Sequence, residues 1–323
     1  MRKIVDRLLC WVFLCCAAPA AHAQAWPARP VRVLVGFPAG QATDVLARMA
    51  AQRLSDATGQ QFFVDNRPGA SGNIAYEMAA RAVPDGYTLL MGSSGTTVIN
   101  PALYSKLPFD VNKDFAPVIM MADVPQMLVV NPNFPARNVM ELIAYAKARP
   151  GKVDYASGGS GLTNHLIMEM FKSATGLHLV HIPYKGGPPA LTDLIAGQVS
   201  VMFETIVGAL PHVKSGKLRA LAVSRSRRSS VLPDLPTVAE SGVPGFNATA
   251  WVAMLAPAGT PREIIARANA EIAKGLAMPE MRDKVLGLGA EPVGGSPEDF
   301  GAFIKTELPK WAKVVKDSGA KVD

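Results

Sequence analysis

Cysteine is confined to Cys10, Cys15 and Cys16, all near the start of the 323-residue chain. Downstream of them no disulfide and no thiolate metal site can form. Long apolar runs are just as scarce: the one at 8–18 covers about half of the ~20 residues a membrane span requires, and no later stretch stays uncharged for that length. Basic runs are short, and the densest, Arg225 to Arg228 around Ser226, has no interleaved aromatics. A nucleic-acid partner is therefore not expected. The net charge of +7 is scattered along the chain, the pattern of a solvated surface. Histidine is also sparse, with five in all. His178 and His181 lie three apart on a predicted strand and so point to opposite faces, where they cannot chelate one metal. Phosphate-binding and dinucleotide fingerprints are missing, and neither Gly92-Ser93-Ser94-Gly95 nor Gly158-Gly159-Ser160-Gly161 has the glycine spacing of a nucleophile elbow. No cofactor, metal or catalytic residue is expected.

The chain does open with Arg2, Lys3 and Arg7, the apolar run, and the small-residue triplet Ala21-His22-Ala23. That is the layout of a secretory signal peptide, 1–23, cut near Ala23, which places the mature protein in the periplasm. The mature chain is long enough for two domains. Residues 31–37 read as a buried strand and 43–57 carry apolar side chains at helical spacing; 61–64, 72–82 and 87–92 continue as strand, helix and strand. A second alternating run has strands near 127–130, 153–156, 179–182, 199–203 and 218–223, separated by helices. A strand at 251–255 and helices at 261–277 and from Ser296 onward close the chain. Ser296, Pro297, Glu298 and Asp299 are an N-cap, a first-turn proline and two first-turn acids. The pattern is α/β, with each unit a doubly wound, mostly parallel sheet.

In such sheets ligands bind beyond the carboxyl ends of the strands. Three loops there are small and hydroxylic: 36–44 with Phe37, Ala39, Gly40 and Asp44; 92–97 with Ser93, Ser94 and Thr96; and 157–163 with Ser157, Ser160, Gly161 and Thr163. Backbone amides and hydroxyls, with glycines that allow close approach, suit a carboxylate without a full countercharge. His165 follows the third loop and could cap its helix or touch a ligand. Lys185 could reach an anion or sit solvated in a turn. Glu204 ends a strand and could recognise an amine or hydroxyl, or repel a second carboxylate.

Taken in order, several stretches resemble the Bug family of extracytoplasmic solute receptors associated with tripartite tricarboxylate transporters. They include Trp26-Pro27-Ala28-Arg29-Pro30, Phe37-Pro38-Ala39-Gly40 with Thr43-Asp44, and Asn66-Arg67-Pro68-Gly69-Ala70-Ser71-Gly72-Asn73. Further ones are Pro84-Asp85-Gly86-Tyr87, Ile182-Pro183-Tyr184-Lys185-Gly186 and Leu235-Pro236-Thr237-Val238. The resemblance implies a two-domain type II periplasmic-binding-protein fold, a venus flytrap: 24–124 plus 250–323 as one domain, 125–249 as the other, a hinge between. It implies a small organic acid in the cleft, held by Phe37, Ala39, Gly40, Ser93, Ser94, Thr96, Ser160, Gly161 and Thr163, and delivery to transporter membrane subunits by a monomer. Gln41-Ala42 and Glu204 depart from the usual family residues. Presentation of the solute to a sensor protein, or hydrolysis by a loop serine with His165, are the alternatives.

Overall fold

The computed structural model describes residues 26–321; the expected signal peptide lies outside them. The chain begins β1 (Val31–Val35), α1 (Ala42–Thr58), β2 (Phe62–Asn66), α2 (Asn73–Ala80) and β3 (Thr88–Ser93). Two single-turn helices, α3 (Asn100–Leu103) and α4 (Val111–Asp114), lead into β4 (Phe115–Val124). After Pro125 come β5 (Gln126–Val130), α5 (Val139–Lys147), β6 (Val153–Ser157), α6 (Thr163–Thr175) and β7 (Leu179–Pro183). Next are α7 (Gly187–Ala196), β8 (Val201–Thr205), α8 (Ile206–Lys214) and β9 (Arg219–Val223). The chain returns as β10 (Ala250–Pro257), α9 (Arg262–Ala277), α10 (Pro279–Gly287), β11 (Glu291–Gly294) and α11 (Pro297–Ser318).

These strands form two sheets. One has the order β11-β4-β10-β3-β1-β2, the other β7-β6-β8-β5-β9. Parallel β1-β2, β1-β3, β6-β7 and β6-β8 pairs make the doubly wound part of each sheet, and β10 and β5 join it antiparallel. Parallel strands covered on both faces are apolar throughout, which is why Val31, Val33, Leu34 and Val35 are all buried. On α1, Leu46, Ala47, Ala50 and Leu54 form the inward stripe that packs on Val31, Val33 and Val35. Each such large side chain taken from water contributes ~1.5–3 kcal/mol.

The last helix carries the capping box read from the sequence: Asp299 N–H donates to Ser296 Oγ at 3.0 Å, and Ser296 N–H donates back to the Asp299 carboxylate at 3.2 Å. Its buried face, Phe300, Ile304, Trp311 and Val315, packs in one cluster with Trp251 of the first sheet, Phe203 of the second, Phe171 of α6 and Phe246 of the chain returning to β10. A single helix thus covers apolar surface from both sheets. Besides the single-turn helices α3 and α4, the elements β4, β11 and α10 carry no clear sequence signal. Pro117 interrupts the strand pattern of β4, and it sits beside a register shift against β10, where a residue without an N–H costs no ladder bond.

The chain passes between the sheets twice, and the two passages are bonded side by side. Val124 pairs with Ala250 in the first sheet. Just beyond, Gln126 N–H donates to Ser224 Oγ at 3.0 Å, Ser224 N–H donates to Gln126 O at 2.8 Å, and Ala248 N–H donates to Ser224 O at 2.9 Å. Next to this stitch Arg225 reaches Asp123 at 3.4 Å and Glu291 at 3.3 Å, both on the first sheet. Ser224 and Gln126 are buried, so Ser224→Ala strands an amide without water to replace the lost acceptor. A loss of about 1–3 kcal/mol in unfolding free energy is expected by urea denaturation; an unchanged midpoint would mean that the serine does not hold the passages together.

Candidate functional site

The loops after β1, β3 and β6 converge with the two passages on one cavity of about 230 Å³. The first sheet's side supplies Phe37, Thr43, Ser71, Ser93, Ser94, Gly95 and Asn100. Ser160, Gly161, Leu162 and Thr163 come from the second. Val124, Ala250 and Trp251, at the passages themselves, complete the wall. A larger cleft of about 440 Å³ lies between α1 and the α9–α10 corner, but it is lined by these helices and their junction alone and takes no residue from the second sheet's side. The wall of the smaller cavity contains no ionisable side chain.

Two helices begin at this wall, α1 at Ala42 and α6 at Thr163. Gln41 and Leu162 stand in extended conformation at the N-cap positions without a side-chain capping hydrogen bond, although in α6 the His165 N–H is already taken by Asn164 Oδ1 at 3.0 Å. First-turn N–H groups are the unpaired donors of a helix and carry its positive dipole end. One such end from each sheet borders the same cavity.

Asp44 shapes the first loop from behind. Its carboxylate accepts from Gly40 N–H at 2.8 Å, Arg48 Nε at 3.0 Å and Asn66 Nδ2 at 2.8 Å. Burial alone would raise its pKa, but these three donors outweigh burial and hold it below the ordinary value. Asp44 is absent from the wall, and Ala39 and Gly40 are exposed on the loop that it ties. In the second loop Ser93 and Ser94 reach the wall, with Ser94 Oγ accepting from Trp251 N–H at 3.2 Å. Thr96 turns inward: its hydroxyl donates to Ser71 O at 2.8 Å, and it is fully buried.

Ser71 is a wall residue absent from the sequence-based candidates. It and Ala70 are the non-glycine residues with positive φ among those described, 53° and 47°. Such backbone persists only where surrounding bonds over-determine it. Here Thr96 and Asn100 donate to Ser71 O, and Tyr104 OH donates to Ser71 Oγ at 3.2 Å. The one sequence signal was the small-residue run 69–72 before a helix. Asn100, Leu103 and Trp251 were also missed as wall residues: the stretch 100–104 resembles the family and Trp251 opens the predicted strand 251–255, but an amide or an apolar side chain does not by itself mark a carboxylate site.

In the third loop Ser160, Gly161 and Thr163 lie on the wall, whereas Ser157 is fully buried below it, 2.6 Å from His181 Nε2. His165 is buried too, its Nδ1 accepting from Gly161 N–H at 3.0 Å, so it serves the loop and is off the wall. Lys185 is exposed and not on the wall. Glu204 is buried at the end of β8; Oε1 accepts from Thr205 N–H at 2.7 Å and from Thr205 Oγ1 at 2.8 Å, and Oε2 has no partner. Burial raises its pKa, with the Thr205 bonds opposing. Among the described residues no cluster of three His, Cys, Asp or Glu could hold a metal ion, and no helix is long and apolar enough to cross a membrane.

The family model described as tripartite tricarboxylate transporter family receptor matches residues 46–320. The chain belongs to that family. It is 42% identical to BugT of Bordetella pertussis over 95% of this chain and 94% of that one. Among solved structures, a Rhodopseudomonas palustris protein with adipate superposes with a TM-score of 0.79 at 40% identity, covering 92% of this chain and 99% of that one. The MatC protein of Rhodopseudomonas palustris with bound malate gives 0.74 at 33%, covering 90% and 100%. This tricarboxylate-transporter receptor therefore has the two-domain architecture of periplasmic binding proteins, as its strand and helix pattern and the motif resemblance implied.

Because Asp44 is held ionised, its contribution to stability is complete well above its ordinary pKa of 3.8 and is lost as pH falls through the lower folded value. Asp44→Asn should lower the unfolding free energy at pH 7 and flatten its decline between about pH 5 and pH 2, read by urea titrations across that range. Parallel wild-type and variant curves would show that the carboxylate does not hold the loop.

Proposed function

We propose that the protein is a periplasmic receptor that captures a small organic acid in the cavity between its two sheets and delivers it to the membrane subunits of a tripartite tricarboxylate-type transporter. The observation that carries the reading is the pair of uncapped helix N-termini, one from each sheet, on a wall of hydroxyls and amides without a cationic side chain. A carboxylate there would accept from first-turn N–H groups of α1 and α6 and from Ser71, Ser93, Ser160 and Thr163. The relatives with adipate and malate support an acid of this size class. The ligand donors come from both 24–124 plus 250–323 and 125–249, taken as the two domains, so bound acid bridges them and favours closure over the site. Each 1.4 kcal/mol of preference for the closed form shifts its population about tenfold. Cleavage of the leader near Ala23 would release a monomeric soluble receptor, and no reaction is part of the cycle.

The Ser157–His181 contact is the arrangement closest to a nucleophile with its base. Ser157 is completely buried and off the cavity wall, so a bound acyl group could not reach its Oγ; the pair belongs to the loop's support.

A thermal-shift series of mono-, di- and tricarboxylates, aromatic acids and acidic amino acids tests the reading, since a ligand of the native state alone raises Tm. A saturable rise with one class of acid, the compound recovered unaltered, is expected. No rise with any acid, or conversion of one, overturns it. With the acid that binds, Ser160→Ala combined with Thr163→Ala should weaken affinity about tenfold to a hundredfold at nearly unchanged unliganded Tm; unchanged affinity by calorimetry would remove these hydroxyls from the site.

A further inference from the structure

The second sheet's share of the wall is the loop 157–163, with Gly158, Gly159 and Gly161 in seven residues. A segment so rich in glycine has no preferred shape of its own. Off the wall stands a group that ligand contact does not explain. His165 of α6 and His181 of β7 stack face to face, ring centroids 4.0 Å apart and planes 12° from parallel, with the Tyr155 ring 4.8 Å from His181. Each imidazole is wired to the loop. Gly161 N–H donates to His165 Nδ1 at 3.0 Å, while His181 Nε2 lies 2.6 Å from Ser157 Oγ, which itself accepts from Gly159 N–H at 3.1 Å. Gly161 has φ +79°, and a Cβ there would fall 2.5 Å from Leu103 Cδ2 of the opposite sheet's side. The orientation of its amide therefore sets how the loop meets the facing wall.

We propose that His165 and His181 are positioning residues for ligand capture: as neutral rings they hold the 157–163 loop in its cavity-facing shape, and protonation of His165 lets it go. The proposal rests on the cavity being the ligand site. Its chemistry is simple, because an imidazolium has no lone pair to accept the Gly161 N–H and would present a proton to it instead.

The groups around the pair keep it neutral at ordinary pH. Facing it are Tyr155 from β6 and, on α6, Glu169 and Lys172; Glu169 Oε1 is 3.8 Å from His165 Nε2, accepts from Tyr155 OH and is bound by Lys172 Nζ at 2.7 Å. Burial first, then the neighbouring His181 ring, brings His165 down to about 4; Glu169 opposes and Lys172 adds to the shift. His181 is lowered by burial as well. Both rings thus lie below the ordinary value of 6.5, so their hold on the loop is complete at neutral pH, and the His165 bond is lost as pH falls toward about 4.

The test uses the mature protein without ligand, by NMR, with His165→Asn, His165→Gln and His165→Ala. Asparagine places an acceptor where Nδ1 stands and glutamine does not. His165→Asn should keep the protection of the Gly161 amide against hydrogen exchange, whereas the other two should lose it about tenfold or more. In the wild type, imidazole ¹⁵N shifts should show His165 protonated at Nε2 and bare at Nδ1 at pH 7, with Gly161 protection falling as the ring titrates. An Nδ1–H tautomer, or equal Gly161 protection in all three variants, overturns the proposal even if a variant is poorly folded, since the tautomer is read on the native chain. Adipate and malate titrations of the same proteins check the consequence: with either acid binding, affinity should fall with Gly161 protection. If neither binds the wild type, the ligand reading is at fault for these acids, and the exchange and tautomer data still decide the role of the histidines.

Discussion

The double passage at Ser224 is the constraint on which the rest of the molecule depends. A chain that leaves one sheet, builds a second and returns must cross twice, and crossings that wandered apart would leave buried backbone polar groups unpaired. Here Gln126 and Ala248 both bond to Ser224, with Val124 against Ala250 in register beside them. This stitch fixes where the two sheets meet. It brings the strand ends of both to one cavity and puts Trp251 on that wall, its amide held by Ser94. Two adjacent tethers also define the axis that the proposed closure over the acid would use. The long helix α11, packed on aromatic residues of both sheets, covers the apolar surface near that axis.

The electrostatics of the site reflect what was left out of it. A lysine or arginine on the wall would need a partner whenever the cavity was empty and shielded from water, and burying an unpaired charge is expensive. Helix N-termini and hydroxyls carry no such cost, yet they are favourable to an anion. The charged residues nearby are set behind the loops, where each is satisfied by the scaffold: Asp44 by Gly40, Arg48 and Asn66, and Glu169 by Lys172 and Tyr155. Their work is to shape glycine-rich backbone. Glu204 at the end of β8 and Asp123 beside the passages are exceptions, each with one buried oxygen lacking a partner.

Much of this was legible in the residues. Apolar runs such as Val31–Val35 and the helical stripe of α1 gave the βα alternation, and Ser296 marked the start of α11 with the cap that forms. The loops at 93–94 and 160–163, which line the cavity, stood out because hydroxyls and glycines beyond a strand end have a recognisable chemistry. What escaped depends on distant partners. Ser71 faces the cavity only because Thr96 and Asn100 hold its strained backbone. His181 looked like a lone strand histidine, since its partners Ser157 and His165 are brought to it by the fold. Thr96 and Ser157, by contrast, have the right chemistry but turn inward, a choice of side-chain direction that composition does not record.

The central claim is that an acid binds against helix N-termini contributed by both sheets. A crystal structure of the mature protein grown with the carboxylate that stabilises it most tests this directly. The carboxylate is expected within hydrogen-bond distance of first-turn N–H groups of α1 and α6, with Ser160 or Thr163 donating to it. An acid seated elsewhere, or held by lysine or arginine side chains alone, would contradict the claim.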